Sequence, residues 1–435
     1  MRIHILAIVG KMTTPLAVEL QRLGHTVTGS DQDKIYPPAS TTLEKNSISV
    51  NTRTIDKNID LVIVGSSYTH FTRCVQELAQ AKKLGIPFIP ATEYLANMLV
   101  KQNSIVVAGS FGKTTITALL AFLFDKLGLD PSYCFGEKII NNLPSVHSSN
   151  SDWSIIEGDE SINGLDTKAK FFSYGPKYLI LTSVGWEHKD SYPTQEANQQ
   201  AFSDLLSLVP PDGIVVYNPE DSGINQIFSS TKATTVPYEN FSFDTSLIGM
   251  HNNQNIRAAL TLIKALKLDL QRAIELIPTF LGVERRLQII SKTSNITIID
   301  DYAQSAIRVN TAINSIRETF PSAAIKVFFE PHASFLQSVS GLNGFKDAFS
   351  TCSEVILSQI NYRKSIKGDR VTARSFTDEI GDSLKYIPIY EDIFQHFKNS
   401  LKPGDILIHF SSGGLDGLNT LKRLVSHFNP EIPYT

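Results

Sequence analysis

A chain of 435 residues is expected to hold about three domains at roughly 150 residues each. Its 42% apolar and 19% charged residues suit a globular protein that builds its own core. The 40 basic and 43 acidic side chains are mixed along the sequence and leave a net charge of −3, so neither a nucleic-acid partner nor a membrane surface is expected.

The opening run Ile3–Val9 is apolar but carries His4, lacks a small-residue cleavage site and leads into Lys11. It reads as a first strand rather than a signal core. A helix near Leu16–Leu23 and a strand His25–Ser30 ending at Asp31 follow. Then come a strand Leu61–Val64, a helix Thr72–Lys83, a strand Ile86–Ile89 and a helix from Thr92. Strands alternating with helices predict a doubly wound parallel sheet for residues 1–100. Asp31 stands where an acidic residue reaches a ribose in dinucleotide-binding folds, or it is a surface helix cap. Ala7 and Thr13 occupy places where a dinucleotide loop wants Gly, and only Gly10 is clear, so a nucleotide-sugar pocket is favoured over NAD. Lys34–Ser40, with two prolines, reads as an ordered loop.

Residues 101–281 are organised around Ser104–Thr117. Ile105–Ala108 reads as a buried strand, Gly109-Ser110-Phe111-Gly112 as a turn, and Thr114 onward as a helix. Such a turn aims backbone N–H groups at an anion, and the helix adds its positive dipole end. Lys113 is expected at the terminal phosphates and the Thr114 hydroxyl on Mg²⁺. Val107 stands where the general phosphate-loop pattern has its first Gly, and Gly-Lys-Thr also arises in surface turns. With strand and helix both in register, nucleotide binding is the expectation. A strand Trp153–Glu157 ends in Glu157-Gly158-Asp159-Glu160, and a strand Tyr178–Ser183 leads to His188. The carboxyl ends of neighbouring parallel strands converge on one crevice, so Glu157 and His188 are candidate metal ligands there. His188 reads equally as a hydrogen-bonded loop histidine, because Mg²⁺ prefers oxygen. His251, Asn252 and Asn255 open an amphipathic helix Ile256–Leu266, either as capping residues or as adenine contacts.

In residues 282–435, Ile296–Asp300, Lys326–Glu330, Glu354–Leu357 and Asp405–Phe410 read as strands of a further α/β domain. Cys74, Cys134 and Cys352 lie far apart with no CxxC pair, which predicts a reducing compartment without disulfides or structural zinc. No apolar run approaches the ~20 residues that cross a bilayer, and the expected location is the cytoplasm.

Together these motifs resemble the Mur ligase superfamily of ATP-dependent carboxylate–amine ligases, in its muramate-linked branch. Its phosphate loop matches Gly109–Thr115, its acidic metal motif Glu157–Glu160 and its metal histidine His188. Its helix-start motif matches Gly249, His251, Asn252 and Asn255, and its domain junction matches Gly282, Arg285 and Arg286. Its third-domain Asp-Asp-Tyr-Ala matches Asp300–Ala303. Gly29-Ser30-Asp31 followed by Tyr36-Pro37-Pro38-Ala39-Ser40 is most similar to the tripeptide-recycling members.

The resemblance implies a Rossmann-like UDP-sugar domain, a central phosphate-loop ATP domain and a Rossmann-like amine-substrate domain. It implies that the lactyl carboxylate of UDP-N-acetylmuramate attacks ATP and that the acyl phosphate is then attacked by an amino acid or muropeptide amine. Lys113, Glu157 and His188 are implied as catalytic, with Thr114, Glu157 and His188 holding Mg²⁺. ATP is implied to lie on Gly109, Ser110, Gly112, Lys113, Thr114 and Thr115, with His251, Asn252, Asn255, Arg286 and Asp301 completing its site. Gly10, Asp31, Tyr36 and Ser40 are implied to bind the UDP-sugar. Gln195–Leu208 contains no Lys, in keeping with a branch that uses no carbamylated lysine. A monomer or weak homodimer is expected.

The pattern breaks on the acceptor side. Gln304-Ser305-Ala306 replaces His-His-Pro, and Glu330-Pro331-His332, continuing to Gln337, lacks the family's Arg and Lys. Arginine's bidentate grip on a carboxylate is not reproduced by His or Gln. His332 is either a partial substitute or an ordinary loop histidine. An altered amine substrate is the favoured reading. A standard L-alanine or tripeptide ligase and a degenerate ATP- and UDP-sugar-binding protein are the alternatives.

Overall fold

The computed structural model describes all residues except 37, 52–54, 167, 187–190, 294, 333–335, 337–338, 361–369, 414 and 430–435. His188, Gln337 and Gly414 lie outside the described residues. The chain divides into two units, Met1–Ser246 with Asn252–Val283, and Leu247–His251 with Glu284–Thr435.

The first unit carries two sheets. Strands β1 (Arg2–Leu6), β2 (Thr26–Ser30), β3 (Ser49–Val50), β4 (Leu61–Val64) and β5 (Phe88–Pro90) pair in the order β3-β2-β1-β4-β5, all parallel. The second sheet contains β6 (Asn103–Ala108), β7 (Ser132–Cys134), β8 (Val146–His147), β9 (Trp153–Gly158), β10 (Tyr178–Leu181), β11 (Ile214–Tyr217) and β12 (Thr234–Pro237). Its order is β12-β11-β10-β6-β9-β7-β8, and only the edge strand β8 runs antiparallel among the described residues. In the helix Lys113–Lys126 every residue from Ile116 to Phe124 is buried, as expected of a helix packed on all sides. The two sheets share one core that joins Ile3, Ile5 and Leu16 to Val106, Ile156 and Leu179. Polar ties also join them: Ser148 N donates to Glu19 Oε1 at 2.6 Å, and Asn163 Nδ2 donates to Thr92 Oγ1 at 3.0 Å.

The second unit holds β13 (Gln288–Thr293), β14 (Ile296–Asp301), β15 (Ile325–Glu330), β16 (Glu354–Leu357), β17 (Leu384–Tyr386) and β18 (Ile406–Ser411), ordered β13-β14-β18-β15-β16-β17. β13 folds back antiparallel on β14, with Asn295 of the turn at φ +61°. Asn accepts that left-handed conformation more readily than most residues. Side chains alternate across a strand, so this sheet has two cores. Ile299, Val327 and Ile408 face one, whereas Ile298, Phe328 and Leu407 face the other, under the helices Tyr390–Ser400 and Leu415–Phe428. The same alternation places Asp300, Glu330 and His409 on the Phe328 face. The α/β class with three sheets agrees with the sequence expectation.

Candidate functional site

β6 lies between β9 and β10, with Ala108 in register with Gly158 on one side and Leu181 on the other. The loop after β6 is therefore flanked by the carboxyl ends of two parallel strands, where such sheets bind ligands. Gly109 at φ +129° and Gly112 at φ +78° turn the chain into the helix Lys113–Lys126. A Cβ on Gly109 would overlap the Thr182 hydroxyl, and one on Gly112 would come 2.5 Å from Asn255 Oδ1. Thr182 donates to Phe111 O at 2.6 Å, and the Ser183 hydroxyl accepts from Ser110 N and Phe111 N at 3.2 and 3.3 Å. Ser110 Oγ donates to Gly185 O and accepts from Gly185 N, at 2.8 and 2.7 Å. The turn is thus preset by the strand beside it.

Lys113 Nζ donates to Gly109 O and pairs with the buried Glu160 at 2.8 Å. Thr114 Oγ1 donates to Glu157 Oε1 at 2.7 Å, and Glu157 Oε2 accepts from Gly136 N at 2.6 Å. Burial pushes the Asp159 carboxyl up, but Lys170, 2.7 Å away, outweighs it and holds the group well below the usual carboxylate range. Asp159 therefore serves the loop, accepting also from Ser161 N and Oγ. Thr114 and Glu157 supply hard oxygen donors side by side, the donor chemistry that Mg²⁺ takes. Asn255 Nδ2 donates to Asn252 Oδ1 at 3.2 Å, which orients both amides at the start of their helix.

In the first sheet the loop after β1 is closed by its own side chains. The expected strand to Val9 stops at Leu6, because Ala7 takes φ +55°. Thr13 Oγ1 donates to Ala7 O at 2.8 Å and accepts from Gly10 N at 3.0 Å. Asp31, 3% exposed, accepts from Val9 N and Gln32 N, both at 2.8 Å, and burial raises its pKa. Tyr36 is 48% exposed, whereas Ser40 is buried in the helix Ala39–Lys45.

In the second unit, Asp301 accepts from Leu287 N and Ala303 N, both at 2.7 Å, and burial raises its pKa. His251 Nδ1 pairs with Ser315 Oγ at 3.0 Å, and burial lowers the imidazole pKa. Arg285 binds Asp300 at 3.0 Å and Ser411 O, while Arg286 lies beside the Tyr302 ring.

Sequence reasoning missed Thr182, Ser183 and Gly185 as partners of the phosphate loop, and Glu160 as the partner of Lys113. Thr182 and Ser183 read as the end of the strand Tyr178–Ser183, whereas β10 ends at Leu181.

Three family models match in order: the catalytic domain of the Mur ligase family over residues 2–102, the Mur ligase middle domain over 107–235, and the Mur ligase glutamate ligase domain over 285–413. The chain is 25% identical to the UDP-N-acetylmuramate–L-alanine ligase of Caldanaerobacter subterraneus subsp. tengcongensis, over 95% of each chain. It is 26% identical to the UDP-N-acetylmuramate–L-alanyl-gamma-D-glutamyl-meso-2,6-diaminoheptandioate ligase of Escherichia coli, over 96% of this chain and 97% of that one. The UDP-N-acetylmuramate–alanine ligase structure from Thermotoga maritima superposes with a TM-score of 0.79 at 21% identity, covering 99% of this chain and 100% of that one. A murein peptide ligase structure from Psychrobacter arcticus gives 0.70 at 21% identity over 99% of each chain, and both share this fold. With those domain matches running in order through most of the sequence, the chain belongs to the Mur ligase family of ATP-dependent, amide-bond-forming ligases.

Proposed function

We propose that this ligase joins the lactyl carboxylate of UDP-N-acetylmuramate to the amine of a peptide or amino acid through an acyl phosphate, in peptidoglycan recycling or synthesis in the cytoplasm. The observation that carries the reading is the Thr114–Glu157 hydrogen bond at 2.7 Å, beside Lys113 in a preset phosphate loop. In this reading residues 1–100 bind the UDP-sugar, 101–281 bind ATP and 282–435 receive the amine.

Two anions, the carboxylate and the γ-phosphate, must be brought together, so positioning and charge compensation carry most of the catalysis. Lys113 moves from Glu160 to the phosphates, and the N–H groups of the loop face the same anion. Thr114 and Glu157, with His188, would hold Mg²⁺, which when bound offsets phosphate charge. Asn255 contacts the adenine. Tyr36, Ser40, Gly10 and Asp31 form the UDP-sugar side, with Asp31 acting through the loop it braces. A tripeptide is the favoured acceptor class, from the resemblance around Asp31–Ser40. L-alanine is the second reading, supported by the relatives named for that amino acid.

The test is phosphate release from Mg-ATP with UDP-N-acetylmuramate and, in turn, L-alanine, other amino acids and the muropeptide tripeptide. Release that depends on one amine, with a product heavier by that amine, is the expected result. Lys113→Ala lowers it about 10²–10³-fold, the scale for losing one preorganised charge-stabilising donor. Tight binding of both nucleotides with no amine-dependent turnover would refute the ligase.

A further inference from the structure

The dipeptide Asn-Gly occurs at two places, Asn163-Gly164 in the first unit and Asn343-Gly344 in the second. This linkage is prone to rearrange, because glycine has no Cβ to keep its backbone nitrogen away from the amide carbon of the preceding side chain. The fold treats the two copies differently.

Asn163 is 5% exposed, and both ends of its amide are engaged: Nδ2 donates to Thr92 Oγ1 at 3.0 Å, and Oδ1 accepts from Leu165 N at 3.4 Å. Its own N–H donates to Lys168 O at 2.8 Å, and a Cβ on Gly164 would overlap Ser66 O. Turning this amide carbon onto the Gly164 nitrogen breaks those contacts. Asn343 and Gly344, by contrast, are both exposed. They lie between the turn Val339–Leu342 and the helix Phe345–Phe349, with Gly344 at φ +89°. No hydrogen bond engages the Asn343 amide among the described residues. The Gly344 N–H donates to Glu379 Oε1 at 3.2 Å, the long end of the hydrogen-bond range. A loop tied by exposed hydrogen bonds opens at little cost.

We propose that Asn343 is a self-modification site, converting spontaneously to aspartate and isoaspartate while Asn163 keeps its amide, and that Glu379 slows the conversion by holding the nitrogen that attacks. The Gly344 nitrogen bonds to Asn343 Cγ and loses its proton to water. The Cγ–Nδ2 bond breaks, and ammonia leaves with that electron pair and a proton. Water then opens the cyclic imide. Attack at Cγ gives aspartate, whereas attack at the main-chain carbonyl carbon gives isoaspartate, whose backbone runs through Cγ and is longer by a methylene. Either product puts a carboxylate next to the residue that Glu379 holds, where like charges repel. The longer backbone also shifts the helix whose Phe345 and Phe349 rings pack on Phe329, at centroid distances of 5.3 and 5.7 Å. An exposed loop thus passes a covalent change into the core of the second unit, independently of the ligase reading.

The full chain is incubated at neutral to mildly alkaline pH, natively and in urea, and peptide masses and isoaspartyl methyltransferase labelling are followed over time. Natively, the Asn343 peptide is expected to gain the mass of an amide-to-acid conversion and the isoaspartyl label at least about tenfold faster than the Asn163 peptide, which has to open first. In urea both peptides are expected to convert at similar rates. Asn343→Gln is expected to abolish the native change, together with the acidic band it adds on isoelectric focusing. Glu379→Ala is expected to speed the change about two- to tenfold, the net contribution of one hydrogen bond. An Asn343 that keeps its amide natively while the urea-unfolded chain loses it, or an Asn163 that converts as fast, would overturn the proposal. A rate unchanged or lowered in Glu379→Ala would remove the role assigned to Glu379.

Discussion

Among single residues, His409 shows how a charge is retained inside a core. Burial lowers its pKa, yet the hydrogen bonds its ring donates to two carboxylates outweigh the desolvation and raise it to about 9. A folded pKa above the ordinary ~6.5 stabilises the protonated state of the fold below pH ~6.5, and that stability is lost as pH rises through the folded value. Asp300 and Glu330 are shifted the other way, so their contributions are present near neutrality and are lost on acidification. The second unit is therefore expected to be most stable at mildly acidic to neutral pH and to weaken as pH approaches 9. His409→Gln leaves two buried carboxylates without their cation. It is expected to cost about 3–5 kcal/mol, the scale for breaking a buried ion pair, and to abolish the alkaline slope. Urea unfolding between pH 6 and 10 checks both outcomes.

At the scale of elements, Gly417 is a packing requirement. A methyl group in the first turn of Leu415–Phe428 would push Glu330 away from His409 and Tyr390. Gly417→Ala is expected to destabilise by about 1–3 kcal/mol or more, the usual range for overpacking, measured by thermal denaturation. Several elements were legible in the sequence. Leu61–Val64 and Glu354–Leu357 coincide with β4 and β16, because short apolar β-branched runs between turn residues have few other solutions. β13 was not, since Gln288–Thr293 mixes polar residues into the run and depends on the Asn295 turn to pair with β14. The phosphate loop could be read locally, as its glycines, lysine and threonine are adjacent. What braces it could not: Ser183 reaches Ser110 from 73 residues away. In the first sheet, Ala7 occupies a left-handed conformation that its residue type disfavours, and the Thr13 and Asp31 contacts that hold it there are invisible to a motif. His332 reads in sequence either as a partial substitute or as an ordinary loop histidine, and only the fold puts the buried Glu330 carboxylate 3.6 Å from its ring.

For the whole molecule, two units with separate cores are expected to unfold in more than one step. Calorimetry is expected to show two components, of which His409→Gln lowers only the one belonging to the second unit. Mg-ATP at 100-fold over its Kd is expected to add about 2.7 kcal/mol to the unit carrying the phosphate loop, and Lys113→Ala to remove that gain.

The pairing of Lys113 with Glu160 bears on which anions the loop accepts. A small solute such as sulfate meets a cation that already has an intramolecular partner, and it must compete for it with a single set of contacts. In the ligase reading proposed above, a nucleotide tail would bring several phosphates and a base to the same exchange, and the resting loop would filter by multivalency rather than by charge alone. In that reading the exchange would also run backwards at the end of turnover: as ADP departs, Glu160 would take the ammonium back, so that no bare charge is left behind to hold the product.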